Sequence, residues 1–226
     1  MVMSMNRLQD TYQEASSMNS VWTDRYPSEY GWSLYGTEQT QNASEIASYL
    51  IGTKDVNVTS AYAILGNLTT ESFLNPAQWQ YHGGMNPDDS FGLAQWDPST
   101  KLSQYLSSQG ITPNQANMSN GYYQLDYLVS NSGQWSLYYV DPNTGYSSYY
   151  DLTIPVYHSL DEFLQDTGTD LEAKVKAWMV CWERPSAQFQ HLDTRIQYAY
   201  HWAGETPPVV TIPKWLLFKF NQERRC

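Results

Sequence analysis

A mainly helical domain with one small β-hairpin, preceded by an extended N-terminal arm, is the fold class this sequence predicts (mainly α, in the α+β sense). Three observations lead to it. Apolar residues recur at three- and four-residue spacing through most of residues 42–205. Capping residues and Gly or Pro stops punctuate those runs. In one place, around Asp141-Pro-Asn-Thr-Gly145, two aromatic, β-prone runs flank a turn signal.

The elements follow in order. Residues 1–41 are polar, rich in Ser and Tyr and weakly patterned, and read as an arm or linker ordered against a partner. The domain is expected to span 42–205. Asn42 or Ser44 caps a first helix carrying Ile46, Tyr49 and Leu50, which ends near Gly52. A second helix starts after Asn57 and carries Ala61, Ile64, Leu65 and Leu68. It ends at Glu71 to Phe73, because Asn75-Pro76 forbids continuation. Residues 78–97 are rich in Gly, Asn, Pro and Asp and read as an irregular loop with short strand pairing. Helices resume near Ser99 and after Ser119. Beyond the hairpin, Ser159 with Glu162 and Thr169 with Glu172 form capping boxes. A last helix opens after Pro185-Ser186 and stops at Gly204. Residues 206–226 are a tail, and its WLLFKF run is too short to span a bilayer.

Composition excludes several function classes. A net charge of -11 offers no basic footprint for nucleic acid and does not suit anionic membranes. Charged residues are 15%, with 19 Tyr and 9 Trp supplying flat rings that carry a polar handle. The two cysteines, Cys181 and Cys226, do not make a disulfide framework, and Cys181 reads as a buried small hydrophobe. The N-terminus shows neither a secretory signal nor a membrane span. There is no phosphate loop, HExxH, GxSxG or metal-spaced Cys/His cluster, so neither a metal nor another cofactor is expected. Asp141, Asn143 and Gly145 lack the acidic closing ligand of a calcium loop and read as a plain turn.

Carboxylates and aromatics remain. Glu71 lies three residues after Leu68 and seven after Ile64, on the apolar face of its helix. Burial and the helix C-terminus should both disfavour its charged form and raise its pKa, which is what a general acid requires. Asp88, Asp89 and Asp97 follow in more polar surroundings. Two carboxyl groups in unlike environments can divide acid and base roles, the logic of glycoside hydrolysis. Trp79, Tyr81 and Trp96 share the segment and offer faces to sugar rings. For Trp96, core packing competes with that role. A lone Glu at a helix end is, as a rule, simply exposed or ion-paired.

The run AILGNLTTESFLNP followed by SFGLAQWD resembles the lysozyme-like domain of bacteriophage tail lysozymes. That family is in turn similar to goose-type lysozymes and soluble lytic transglycosylases. CWERP and the helix bearing Arg195, Tyr198, Ala199 and Trp202 resemble its closing part. The resemblance covers about residues 43–204. It implies a peptidoglycan-cleaving fold, with Glu71 as the catalytic acid and Ser72 helping to order the site. Gly92, Leu93 and Gln95 would form the cleft floor, and Asp89 or Asp97 would position or activate water. It further implies a virion-associated enzyme of the phage tail that cuts the bond between N-acetylmuramic acid and N-acetylglucosamine. Its partners would be peptidoglycan glycan strands and other tail proteins. A lytic transglycosylase on the same fold and an inert structural tail or wall-binding component are the alternatives.

Trp178, Trp182 and Trp202 sit at helical spacing and read as core. Glu183 reads equally well as one half of an ion pair with Arg184 or as groove lining. Asp193 and Arg195 read as solvated helix charges, with Arg195 able to reach Glu183. The tyrosines near the hairpin are read either as a groove wall or as a subunit contact.

Overall fold

The computed structural model describes residues 36–80 and 87–204. Eight α-helices and one two-residue-per-strand hairpin make up the described fold. Helix α1 spans Thr37–Ser48 and runs into a π-helical turn, Tyr49–Thr53. It begins before residue 42, with Gly36 as its N-cap rather than Asn42 or Ser44. The reason is tertiary: the buried side chains of Gln39 and Asn42 donate to the carbonyls of Phe73 and Leu74 at 3.3 and 2.9 Å. Polar residues thereby serve as core contacts, which apolar periodicity does not detect.

Helix α2, Val58–Ser72, is the central element. The Asn57 side chain caps it by accepting from the Thr59 amide at 2.9 Å. Ala61, Ile64, Leu65 and Leu68 are all fully buried. Each large aliphatic side chain among them contributes about 1.5–3 kcal/mol of burial. Phe73 (φ 53) and Leu74 (φ 64) then adopt left-handed backbone, and the chain reverses at Asn75, whose side-chain oxygen accepts from the Ala77 amide at 2.9 Å. Loop 78–97 holds isolated antiparallel bridges, Trp79 to Phe91 and Phe91 to Trp96. Helices α3 (Thr100–Ser108), α4 (Gln115–Met118) and α5 (Gly121–Ser130) follow.

The hairpin lies further along than the sequence predicts. Strands β1 (Tyr146–Ser147) and β2 (Leu152–Thr153) pair antiparallel, so residues 148–151 form its turn. Asp141 to Gly145 make a separate turn. The Asp141 carboxylate accepts from the Asn143 amide at 2.8 Å, and the Asp141 carbonyl accepts from the Gly145 amide at 2.8 Å.

Helix α6, Leu160–Gln165, is capped by Ser159, whose hydroxyl accepts from the Glu162 amide at 3.1 Å. Helix α7, Leu171–Trp178, is capped by Asp170 instead of Thr169. It continues into a second π-helical turn, Met179–Glu183. Helix α8, Leu192–Ala203, starts only after a 3-10 turn at Ala187–Phe189, and it ends at Gly204 (φ 70) as expected. Helix α2 packs most extensively against α8 and α7. The approach to α8 is close: a Cβ on Gly66 would sit 2.5 Å from the Arg195 carbonyl oxygen and 2.7 Å from Ala199 Cβ.

A polar knot beside this core ties α7 to α2. Lys174 is fully buried; its Nζ donates to Ser60 Oγ at 2.7 Å and to the Asp166 carbonyl. Ser60 Oγ in turn donates to the Phe163 carbonyl at 2.7 Å. Cys181 is free and buried, and Trp178 and Trp182 are core, as predicted. Trp202 is only partly buried, donating from its indole nitrogen to Thr69 Oγ1 at 2.8 Å. The arm before residue 36 and the tail after 204 lie outside the described residues.

Candidate active site

Glu71 sits one residue from the end of α2, its side chain 21% exposed. It lines a cavity of about 270 Å³ together with Gln95, Trp96, Asp97, Glu183 and Arg184. A larger cavity of about 630 Å³, between α1 and α2 near Trp202, contains no carboxylate and no chemistry of this kind.

Arg195 holds Glu71. Its Nη2 donates to Glu71 Oε1 at 2.6 Å, Nη1 to Asn67 Oδ1 at 3.0 Å, and Nε to the Gln190 carbonyl at 2.8 Å. Asn67 itself donates to the Ala63 and Val175 carbonyls. A chain of hydrogen bonds thus runs from α7 through α2 to α8 and back to the Glu71 carboxylate. Arg195 is 1% exposed, so the solvated helix charge expected from sequence is a buried ion pair. Spacing carried a signal for it: Arg195 lies three residues after Leu192 and four before Ala199, on the stripe that α8 turns inward.

A second glutamate, Glu183, stands on the same cavity as Glu71. Glu183 ends the second π-helical turn, and the next residue, Arg184, takes left-handed backbone at φ 50. Burial pushes the Glu183 carboxyl up, and the negative charge of Glu71 pushes it further. The positive charges of Arg195 and Arg184 and a hydrogen bond from Trp178 work against this, and the balance stands at about 8. The Trp178 indole nitrogen donates to Glu183 Oε1 at 3.0 Å. Glu183 is therefore not the partner of Arg184, whose Nη1 donates to the Cys181 and Gln134 carbonyls instead.

Backbone strain gathers here. Of the seven non-glycine residues with positive φ among those described, Phe73 and Leu74 follow Glu71, Gln95 and Arg184 line the cavity, and His191 precedes the helix that carries Arg195. Such strain and π-helical turns both concentrate at functional sites.

The other residues named from the sequence separate into groups. Gln95, Trp96 and Asp97 line the cavity with Glu71. Ser72 stands behind it, its hydroxyl donating to the Leu93 carbonyl at 2.8 Å and so fastening the end of α2 to the 92–96 segment. Gly92 and Leu93 are buried supports rather than cleft floor. Leu93 donates its amide to Gln124 Oε1 at 2.7 Å, and Gly92 (φ 83) leaves no room for a Cβ beside the same side chain. Trp79 is 3% exposed and packs on Phe91 with ring centroids 4.3 Å apart, so it offers no open face to a sugar. Trp96 is also packed, stacked on Tyr127 at 5.5 Å. Asp89 is not among the residues lining the cavity that Asp97 shares with Glu71. Tyr81 lies outside the described residues. Tyr150, near the hairpin, donates its hydroxyl to the Pro185 carbonyl at 2.7 Å, fixing a cavity wall, while Tyr138 is 81% exposed.

The family model for phage tail lysozyme matches residues 41–205. Morphogenesis protein 1 of Bacillus phage B103 is 33% identical over 98 residues, which is 43% of this chain and 26% of that protein. The chain therefore spans about a quarter of that relative's length. With the family model covering well over half of the sequence, the chain belongs to the phage tail lysozyme family.

Proposed function

We propose that this chain is a phage-borne glycosidase that cleaves the bond between N-acetylmuramic acid and N-acetylglucosamine in peptidoglycan, opening the cell wall for delivery of the phage genome. The observation that carries the reading is the placement of Glu71: a carboxyl at the end of a buried helix, gripped by Arg195 and facing a cavity that holds two further carboxyl groups. Glycosidic cleavage needs an acid at the leaving oxygen and a second carboxyl for water or for the sugar cation. Glu71 stands at the first position. Asp97, exposed on the same cavity, is the better placed of the two aspartates for the second. The -11 net charge keeps the chain off nucleic acid and does not hinder contact with a glycan. Membership of the phage tail lysozyme family and the likeness to a phage morphogenesis protein support delivery by the virion.

The test is a turbidity and zymogram assay of the purified chain on cell walls, with mass spectrometry of the fragments. Wild type should clear walls and release reducing ends. Glu71→Gln should lose at least about 10²-fold in turnover, as expected for removal of a general acid, with an unchanged circular-dichroism spectrum. A Glu71→Gln chain that still clears walls overturns the assignment of Glu71. Fragments ending in 1,6-anhydro sugars replace hydrolysis by transglycosylation. An inactive wild-type chain leaves a structural tail or wall-binding component.

A further inference from the structure

We propose that Glu183 is the proton-sharing partner of Glu71, the two carboxyl groups holding one proton between them in the cavity and recovering it after each cleavage. The inference rests on the glycosidase reading and assigns that site's proton inventory. Four observations support it. Both side chains line the same cavity. Glu183 is carried there by a π-helical turn ending in a left-handed Arg184, a local geometry that ordinary helical continuation does not produce. Its Oε1 is fixed by the Trp178 indole, whose ring lies in the core stacked on Trp182 at 5.0 Å. Arg195, which grips Glu71 at 2.6 Å, is close enough to act on the charge of Glu183 as well.

The charges facing Glu183 are Glu71 from α2, Arg195 from α8 and Arg184 from its own turn; Asp97 and Lys101 stand on the same cavity. Two neighbouring carboxylates beside one principal cation, in a partly closed site, do not both ionise readily. The pair accordingly keeps a proton at neutral pH, consistent with the raised Glu183 carboxyl. In the forward step that proton moves from the pair to the glycosidic oxygen as the bond from oxygen to the anomeric carbon breaks. Both carboxyl groups are then ionised, with Arg195 opposing the gathered charge. Water adds to the anomeric carbon, and the proton it loses restores the pair. One water is consumed, and no oxidant or further reactant is needed.

The experiment has two arms. In the first, side-chain 13C resonances of the glutamates are followed from pH 4 to 10 in wild type and in Glu71→Gln. Glu183 should titrate near 8 in wild type. In Glu71→Gln, where the neighbouring charge is gone, its midpoint should fall. In the second arm, kcat and KM on cell-wall fragments are measured against pH for wild type and Glu183→Gln. The alkaline limb of kcat should move down by about one pH unit or more, lowering kcat about tenfold at neutral pH with KM little changed. A Glu183 that titrates in the ordinary glutamate range, or a Glu183→Gln profile that superimposes on wild type, overturns the proposal. If Glu183→Gln loses its near-ultraviolet circular dichroism, the wild-type titration decides alone. If wild type is inactive, the glycosidase reading fails in the second arm, while the first still reports on the pair.

Discussion

Gly66→Ala is the perturbation whose consequence can be worked most fully. Gly66 lies in the middle of α2, against α8. An added Cβ would meet the Arg195 carbonyl oxygen at 2.5 Å, Ala199 Cβ at 2.7 Å and the Ala199 amide nitrogen at 2.8 Å. Two of these three are backbone atoms, so no side-chain rotation relieves the clash, and α8 must move by about half an ångström or more to reach ordinary contact. Helix propensity favours alanine by about 1 kcal/mol. Overpacking of a close-packed core costs about 1–3 kcal/mol, and backbone contacts put this site at the upper end. The net expectation is a loss of about 2 kcal/mol, which for a domain of this size lowers the melting temperature by about 4–8 °C. The same movement carries Arg195 away from Glu71 and should reduce turnover, by up to about 10²-fold for a displacement of about 1 Å. Scanning calorimetry and the wall-clearing assay read the two effects. A variant that melts at or above wild type would refute the claim that this contact sets the approach of α8, and with it the account of how Arg195 reaches Glu71.

Arg195→Met should cost about 3–5 kcal/mol in urea denaturation, because Glu71, Asn67 and the Gln190 carbonyl lose a common partner. A midpoint close to wild type would mean that the ion pair contributes nothing net. Asp166 gives a pH dependence of known sign. Burial raises its pKa, but hydrogen bonds from Thr169, Gly168 and Tyr157 and the charge of Lys174 outweigh it and hold the carboxyl well below 3.8. Its stabilisation is present in full above that ordinary value and disappears as pH falls through the lowered one, so Asp166→Asn should flatten the acid limb of a stability profile. Cys181 is buried, and burial pushes its thiol up to about 12 despite the charge of Arg184. Peptide mapping after treatment with a thiol reagent should find Cys181 unmodified in the native chain and modified in denaturant.

The sequence by itself determined the helical scaffold and the location of one candidate functional side chain. The stripe Ala61, Ile64, Leu65 and Leu68 fixed which face of α2 is inside. Asn57, Asn75 and Pro76 fixed where that helix starts and turns away, and Glu71 followed from its place on the same face. These are local rules of spacing and capping, legible in a window of a dozen residues. Tertiary structure decided the rest. It brought Arg195 from 124 residues away onto Glu71 and set Glu183 beside both. It buried Trp79, which loop composition placed at a sugar. It started α1 at Thr37, because Gln39 and Asn42 find their partners only in carbonyls at the end of α2. Periodicity states which face of a helix is buried; it does not state what that face meets. Here the meeting is set by the close approach that Gly66 permits, and a carboxyl on that face acquires its chemistry from the charges the neighbouring helices bring to it.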